Sequence, residues 1–205
     1  MGFRCGGTLA TMSEEQPEPG GFSILFPPGW NRYLIDDEGR KALISRMSAQ
    51  IRALGRPELD LEVRMLINQQ WKQLQTRRVG AVYLPEATAD ESAPLPMSFA
   101  LTQHRARPGV DFEASFRAMA QGRVEAFDTA IGRILRAESE RRGKDELSEV
   151  IGRQVDYGIG LPIAGDGRGM IISCSITTLD DTDSDVVAGL VELSDTIVET
   201  FRWRA

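Results

Sequence analysis

The nine residues from Met170 to Thr178 (MIISCSITT) are almost all β-branched or apolar, and a run of that length reads as a buried central strand. A strand of this kind needs neighbours on both edges, so the rest of the chain must supply a sheet. Several other segments alternate with the period of two that marks half-buried strands. Phe22, Ile24 and Phe26 alternate before Pro27, Pro28 and Gly29 end the run, and Trp30 follows the turn. Val79 to Leu84 and Met97 to Gln103 form two more, the second with Met97, Phe99 and Leu101 against Ser98, Ala100 and Thr102. Between them, Pro85 to Pro96 is rich in acid, alanine and proline and reads as an exposed connection.

Helical spacing appears in four places. From Asp37 to Leu54, Ala42, Leu43, Met47, Ile51 and Leu54 share a face, and Gly55, Arg56 and Pro57 stop the pattern. From Glu58 to Arg77, Leu59, Val63, Leu66, Ile67, Trp71 and Leu74 do the same. Asp111 can cap a short helix carrying Phe112, Phe116 and Met119. Ser184 or Asp185 can cap a last helix through Phe201, with Val187, Leu190, Val191, Ser194, Ile197 and Val198 on one side. Val124 to Arg141 fits either period, but Gly132 would cost a helix about 1 kcal/mol relative to alanine. We therefore expect a strand from Ile131, paired as a hairpin with Ser148 to Leu161. The sum is an α+β chain, an antiparallel sheet packed against helices. Met1 to Gly21 has little apolar pattern and several glycines and prolines, so we expect a disordered leader before a single domain over residues 22–205.

Composition narrows the function. With 24 Lys and Arg against 30 Asp and Glu, the formal charge is -6, without the basic stripe that phosphate binding demands, so no nucleic-acid partner is expected. No apolar run approaches the roughly 20 residues that span a bilayer, so a cytoplasmic location without membrane contact is expected. Cys5 and Cys174 are the only cysteines and lie far apart, which leaves neither a disulfide framework nor a zinc cluster. Arginine outnumbers lysine 21 to 3, dispersed along the chain as in proteins of GC-rich genomes.

Two segments carry a family resemblance. The opening FSILFPPGW (Phe22 to Trp30) and the closing order of VDYGIGLP (Val155 to Pro162), the strand at Met170 to Thr178 and the last helix resemble the PsbP-like superfamily. That superfamily includes extrinsic photosystem subunits, LpqN-type lipoproteins of actinobacteria and a Ran-binding nuclear transport factor. The resemblance implies a sandwich of sheet and helices that serves as a protein-binding scaffold without conserved catalytic machinery, and it transfers no site residues. Cys5, with four residues before it, does not match the lipidated cysteine of the lipoprotein members.

Candidate sites follow from side-chain chemistry. Asp181, Asp183, Asp185 and Glu192 have the 1, 3, 5, 12 spacing of an EF-hand loop, yet Val186 stands where that loop needs glycine, and no metal or other cofactor is expected. His104 is the only histidine, so catalysis there needs an acid or nucleophile brought to it by the fold, Cys174 being one possibility. Gly165, Gly167 and Gly169 read as a hairpin turn, because no helix follows them to cradle a phosphate. Arg136, Glu138, Glu140, Arg141 and Arg142 would put alternating charge on one strand face, either solvated or as an interface rim. Tyr33 and Trp203 can anchor a partner or complete the core. The reading is a non-enzymatic protein-binding or accessory module, such as a chaperone-like, adaptor or immunity-type partner of another bacterial protein, using Tyr33, Trp203, Arg136 and Arg141. The alternative is a small-molecule binder or enzyme with a cavity between sheet and helices near His104.

Overall fold

The computed structural model describes residues 21–86, 94–129, 132–163 and 165–204. Its elements are β1 (Gly21–Ser23), β2 (Trp30–Leu34), α1 (Asp37–Ala53), α2 (Asp60–Thr76), β3 (Ala81–Pro85) and β4 (Met97–Arg105). They continue with α3 (Phe112–Met119), β5 (Val124–Thr129), β6 (Gly132–Arg142), β7 (Val150–Gly160), β8 (Arg168–Leu179), α4 (Ser184–Glu199) and β9 (Arg202–Arg204). Seven strands form one sheet in the order β2-β3-β4-β8-β7-β6-β5. All six neighbouring pairs in it are antiparallel, so the chain is α+β as its patterns imply.

β8 holds the middle of the sheet, and its burial is one-sided. Met170, Ile172, Cys174 and Ile176 are at most 1% exposed, whereas Ser175 and Thr177, pointing the other way, are exposed. The register sets Phe99 and Val155 on either side of Cys174, and Leu101 and Tyr157 on either side of Ile172. One face of β4, β8 and β7 therefore forms a continuous apolar floor. Over it lies α4, contributing Leu190, Ile197 and Val198, together with Phe201 just beyond the helix. Beside it β1 and β9 make a separate two-stranded ribbon that pairs Gly21 with Arg204 and Ser23 with Arg202. Phe22 stacks on Phe201 at 5.5 Å, and Phe26 stacks on Tyr83 at 4.2 Å.

The opposite face carries two separate helical blocks. At the β2-β3 end, α1 and α2 close over Tyr33 and Val82, and Trp71 is buried between them with its indole N–H donating to the Asp36 carbonyl at 3.0 Å. Asp36 also caps α1, accepting from the Gly39 N–H at 2.7 Å. At the other end α3, capped by Asp111, lays Phe112 and Phe116 on the sheet beside Leu135 and Ala137. The rings reach the backbone because the strands lack side chains beneath them. A Cβ on Gly158 would lie 2.6 Å from the Phe116 ring, and one on Gly169 2.4 Å from the Phe112 ring.

Several expectations need correction. The first strand ends at Ser23 rather than Phe26, and the chain pairs again as β2 only after the Pro28-Gly29 turn. A whole outer strand, β5, occupies the part of the 124–141 stretch that fitted a helix, because cross-strand pairing with β6 outweighs local propensity. The last helix stops at Glu199, capped by Asp183 rather than by Ser184 or Asp185, and the chain leaves it as β9 instead of ending helically. Gly169 belongs to β8 and faces an aromatic ring, so it is more than a turn residue. Of the leader expected over residues 1–21, Gly21 pairs in β1, while residues 1–20, most of the 85–96 connection and Ile131 lie outside the described residues.

Candidate functional site

A half-open cavity of about 370 Å³ lies between the outer strands β5 to β7 and the last turns of α4. Its sheet side is Phe127 and Thr129 from β5, Ile134 and Arg136 from β6, and Tyr157 from β7. Its helix side is Asp195, Val198 and Glu199. Strand alternation explains the set: Phe127 stands opposite Ile134, Ile134 opposite Ile159 and Arg136 opposite Tyr157, all on the α4 face.

A connected polar array includes Arg136, Tyr157 and Asp195 of the cavity wall and extends beyond it. Arg136 Nε donates to Asp195 Oδ1 at 2.9 Å, and its Nη2 donates to Glu138 Oε2 at 3.1 Å. Arg153 continues the chain of charges, donating to Glu138 Oε1 at 2.5 Å and to Glu140 Oε2 at 2.7 Å. The Tyr157 hydroxyl donates to Asp195 Oδ1 at 2.7 Å and lies 2.6 Å from Ser194 Oγ, which itself donates to the Val191 carbonyl at 2.7 Å. Two hydroxyl protons thus serve three contacts, and Asp195 Oδ1 receives both the tyrosine and the guanidinium. Asp195 Oδ2 and Arg136 Nη1 have no partner among the described residues.

The environment fixes the protonation states. Burial pushes the Tyr157 hydroxyl far above the usual phenol range, with the Asp195 carboxylate adding to the rise. Burial likewise pushes the Cys174 thiol up to about 12. Neither group is ionised at neutral pH, and each therefore acts as a hydrogen-bonding or packing group rather than as a nucleophile. For Arg136, burial works against the charge, and the hydrogen bond to Asp195 together with the charges of Asp195 and Glu138 more than restores it.

His104 lies elsewhere, on the opposite sheet face in a cleft of about 550 Å³ between the end of β4 and α3. Its Nε2 is 2.9 Å from Ser115 Oγ, its ring meets Phe112 at 5.9 Å edge-on, and burial lowers its pKa. No carboxylate pairs with it among the described residues, and Cys174 sits on the other face of the sheet. The cavity under α4 and the histidine cleft are therefore separate places.

The remaining candidates scatter. Tyr33 is 7% exposed in the α1–α2 core, its hydroxyl accepting from Arg46 Nη1 at 2.7 Å. Trp203 is half-buried on β9, edge-on to Phe201 at 4.9 Å, with its indole N–H donating to the Gly160 carbonyl at 3.1 Å. Arg141 bonds Gln121 on the face opposite Arg136, so the strand does not place Arg141 with Arg136, Glu138, Glu140 and Arg142 on one face. Arg142 pairs with Asp180 at 2.6 Å. Asp183 and Asp185 begin α4 while Glu192 lies two turns on, and no group of three metal-ligating side chains occurs among the described residues. Of the candidates, only Arg136 reaches the cavity. The sequence pattern marks Tyr157 and Phe127 only as apolar-face residues and does not single out Asp195 or Glu199, although Ser194 inside the apolar stripe of α4 is a signal that this helix meets a polar partner.

No protein-family model matches the chain, and no curated protein matches its sequence. Among solved structures, a protein of Bacteroides thetaiotaomicron shares 10% identity at a TM-score of 0.42 over 92% of this chain, which spans about half (47%) of that longer one. LpqN of Mycobacterium tuberculosis, described as involved in cell envelope biogenesis, shares 10% identity at a TM-score of 0.41, over 94% of this chain and 88% of LpqN. Among the described residues, no helix is long and apolar enough to cross a membrane.

Proposed function

We propose that the chain is a non-enzymatic protein-binding module of cytoplasmic location, built on a PsbP-like scaffold, whose contact surface is the β5 edge together with the cavity under α4. One observation carries this reading: the open edge and the cavity adjoin. Among the described residues β5 pairs with β6 alone and forms the edge of the sheet, and Phe127 on it is 46% exposed while lining the cavity. A partner segment added to such an edge gains main-chain hydrogen bonds from β5 and places alternate side chains over the cavity. Glu125 and Asp128 put charge on the same strand, which opposes pairing of the edge with a copy of itself.

The test is capture from native cells with the tagged chain and with its Phe127→Asp variant. A stoichiometric protein partner retained by the first and lost by the second supports the reading. Equal capture by both moves the interface elsewhere, and no partner with either removes the reading. A small-molecule function of the cavity without any partner is the second reading, favoured by its apolar lining around one polar wall.

A further inference from the structure

The cavity under α4 is short of positive charge. Glu199 is the last residue of α4 and Asp195 lies one turn before it, both toward the end where the negative pole of the helix dipole disfavours acids, and the last turn carries no basic residue. Arg136 offsets Asp195 but is shared with Glu138. Glu199 has no ion-pair partner among the described residues. Arg202, the next basic residue along the chain, donates to the Glu199 and Phe201 carbonyls, which satisfies the helix end and leaves the Glu199 carboxylate alone. The lining thus holds one guanidinium against two carboxylates, with Phe127, Ile134, Val198 and the Tyr157 ring supplying apolar and aromatic surface.

We infer that this cavity receives a lysine side chain from a partner segment lying along β5. The inference rests on the protein-binding reading above and specifies what the partner brings. A lysine suits the site in both its parts. Its four-carbon stem covers the apolar wall, and its ammonium has three rotatable donors for two separate acceptors, Asp195 Oδ2 and the Glu199 carboxylate. The rings of Phe127 and Tyr157 attract a cation through their faces. An acidic side chain would meet two carboxylates with only one shared arginine in return. The net charge of -6 steers basic partners toward the chain as a whole.

The test uses the full chain, isotope-labelled for amide NMR, titrated first with n-butylammonium as the free head and stem. The second titration uses the blocked peptide acetyl-Thr-Val-Lys-Val-Thr-amide and its versions with norleucine or glutamate at the centre. We expect butylammonium to shift signals of Phe127, Arg136, Tyr157, Asp195 and Glu199. The lysine peptide should bind at least tenfold more tightly than the norleucine one, with glutamate weakest. In Glu199→Gln, an exposed change that removes an acid from the helix C-terminus and so should not lower the melting temperature, the lysine preference should fall to about threefold or less, and Asp195→Asn serves as the second variant. Norleucine binding as well as lysine, or glutamate binding best, overturns the inference. So does butylammonium moving no cavity signal, and cavity binding of butylammonium with no peptide binding overturns the partner lysine as its source. Capture of a Phe127-dependent partner that lacks the lysine preference sinks this inference alone, whereas absence of any partner sinks the reading beneath it.

Discussion

Gly158 shows how a missing side chain can seat a helix on a sheet. The ring of Phe116 sits where its Cβ would be, at 2.6 Å, in a part of the core with no slack. Gly158→Ala should therefore cost about 1–3 kcal/mol by overpacking, read as a lower urea midpoint with α3 displaced. Tyr157 is the matching case on the other face. Tyr157→Phe removes the hydroxyl that serves both Asp195 and Ser194 and should cost about 1–2 kcal/mol in urea unfolding while the Arg136–Asp195 pair persists. Residues of this kind were poorly legible in advance. A tyrosine among Val155, Ile159 and their neighbours has the same strand period as a core residue, and nothing local says that an aspartate 38 residues later will receive its proton.

At the scale of elements, legibility followed periodicity. α1, α2, α3, β4, β7 and β8 were readable because each has a face packed on apolar neighbours, which writes a period of two or 3.6 into the residues. β5 and β9 lack that stripe. Both are edge elements with mostly exposed side chains, so long-range pairing rather than pattern defines them. The cavity inherited this blindness, since β5 forms one of its walls. α3 is attached chiefly through two rings, Phe112 and Phe116. Phe116→Ala should cost about 3–5 kcal/mol, and hydrogen exchange should show α3 losing protection before the central strands do. Uniform loss of protection across the sheet would mean that α3 is integral to the core rather than seated upon it.

For the whole molecule, the two buried acids of weak character, Cys174 and Tyr157, tie stability to alkaline pH. An unfolded cysteine ionises near 9.0, whereas the folded chain holds its Cys174 proton to about 12. Tyr157 is raised above its ordinary 10.0 in the same sense. Above pH 9 the native state therefore binds more protons than the unfolded one, so stability falls as pH rises, by at most about 1.4 kcal/mol per pH unit for each group. Urea midpoints at pH 8, 9, 10 and 11 check this, and Cys174→Ala should remove the part of the slope that starts near 9 while leaving the later part.

The β1–β9 ribbon sets how the fold responds to force. Its outermost pair joins Gly21 to Arg204, so tension applied through these two residues opens the ribbon one pair at a time. Three pairs, with Phe22 on Phe201 behind them, yield before any load reaches the seven-stranded sheet. A chain pulled from both sides by whatever flanks it would first pay out the ribbon, as a fuse does, and the cavity between β5 and α4 would keep its shape until that slack was gone.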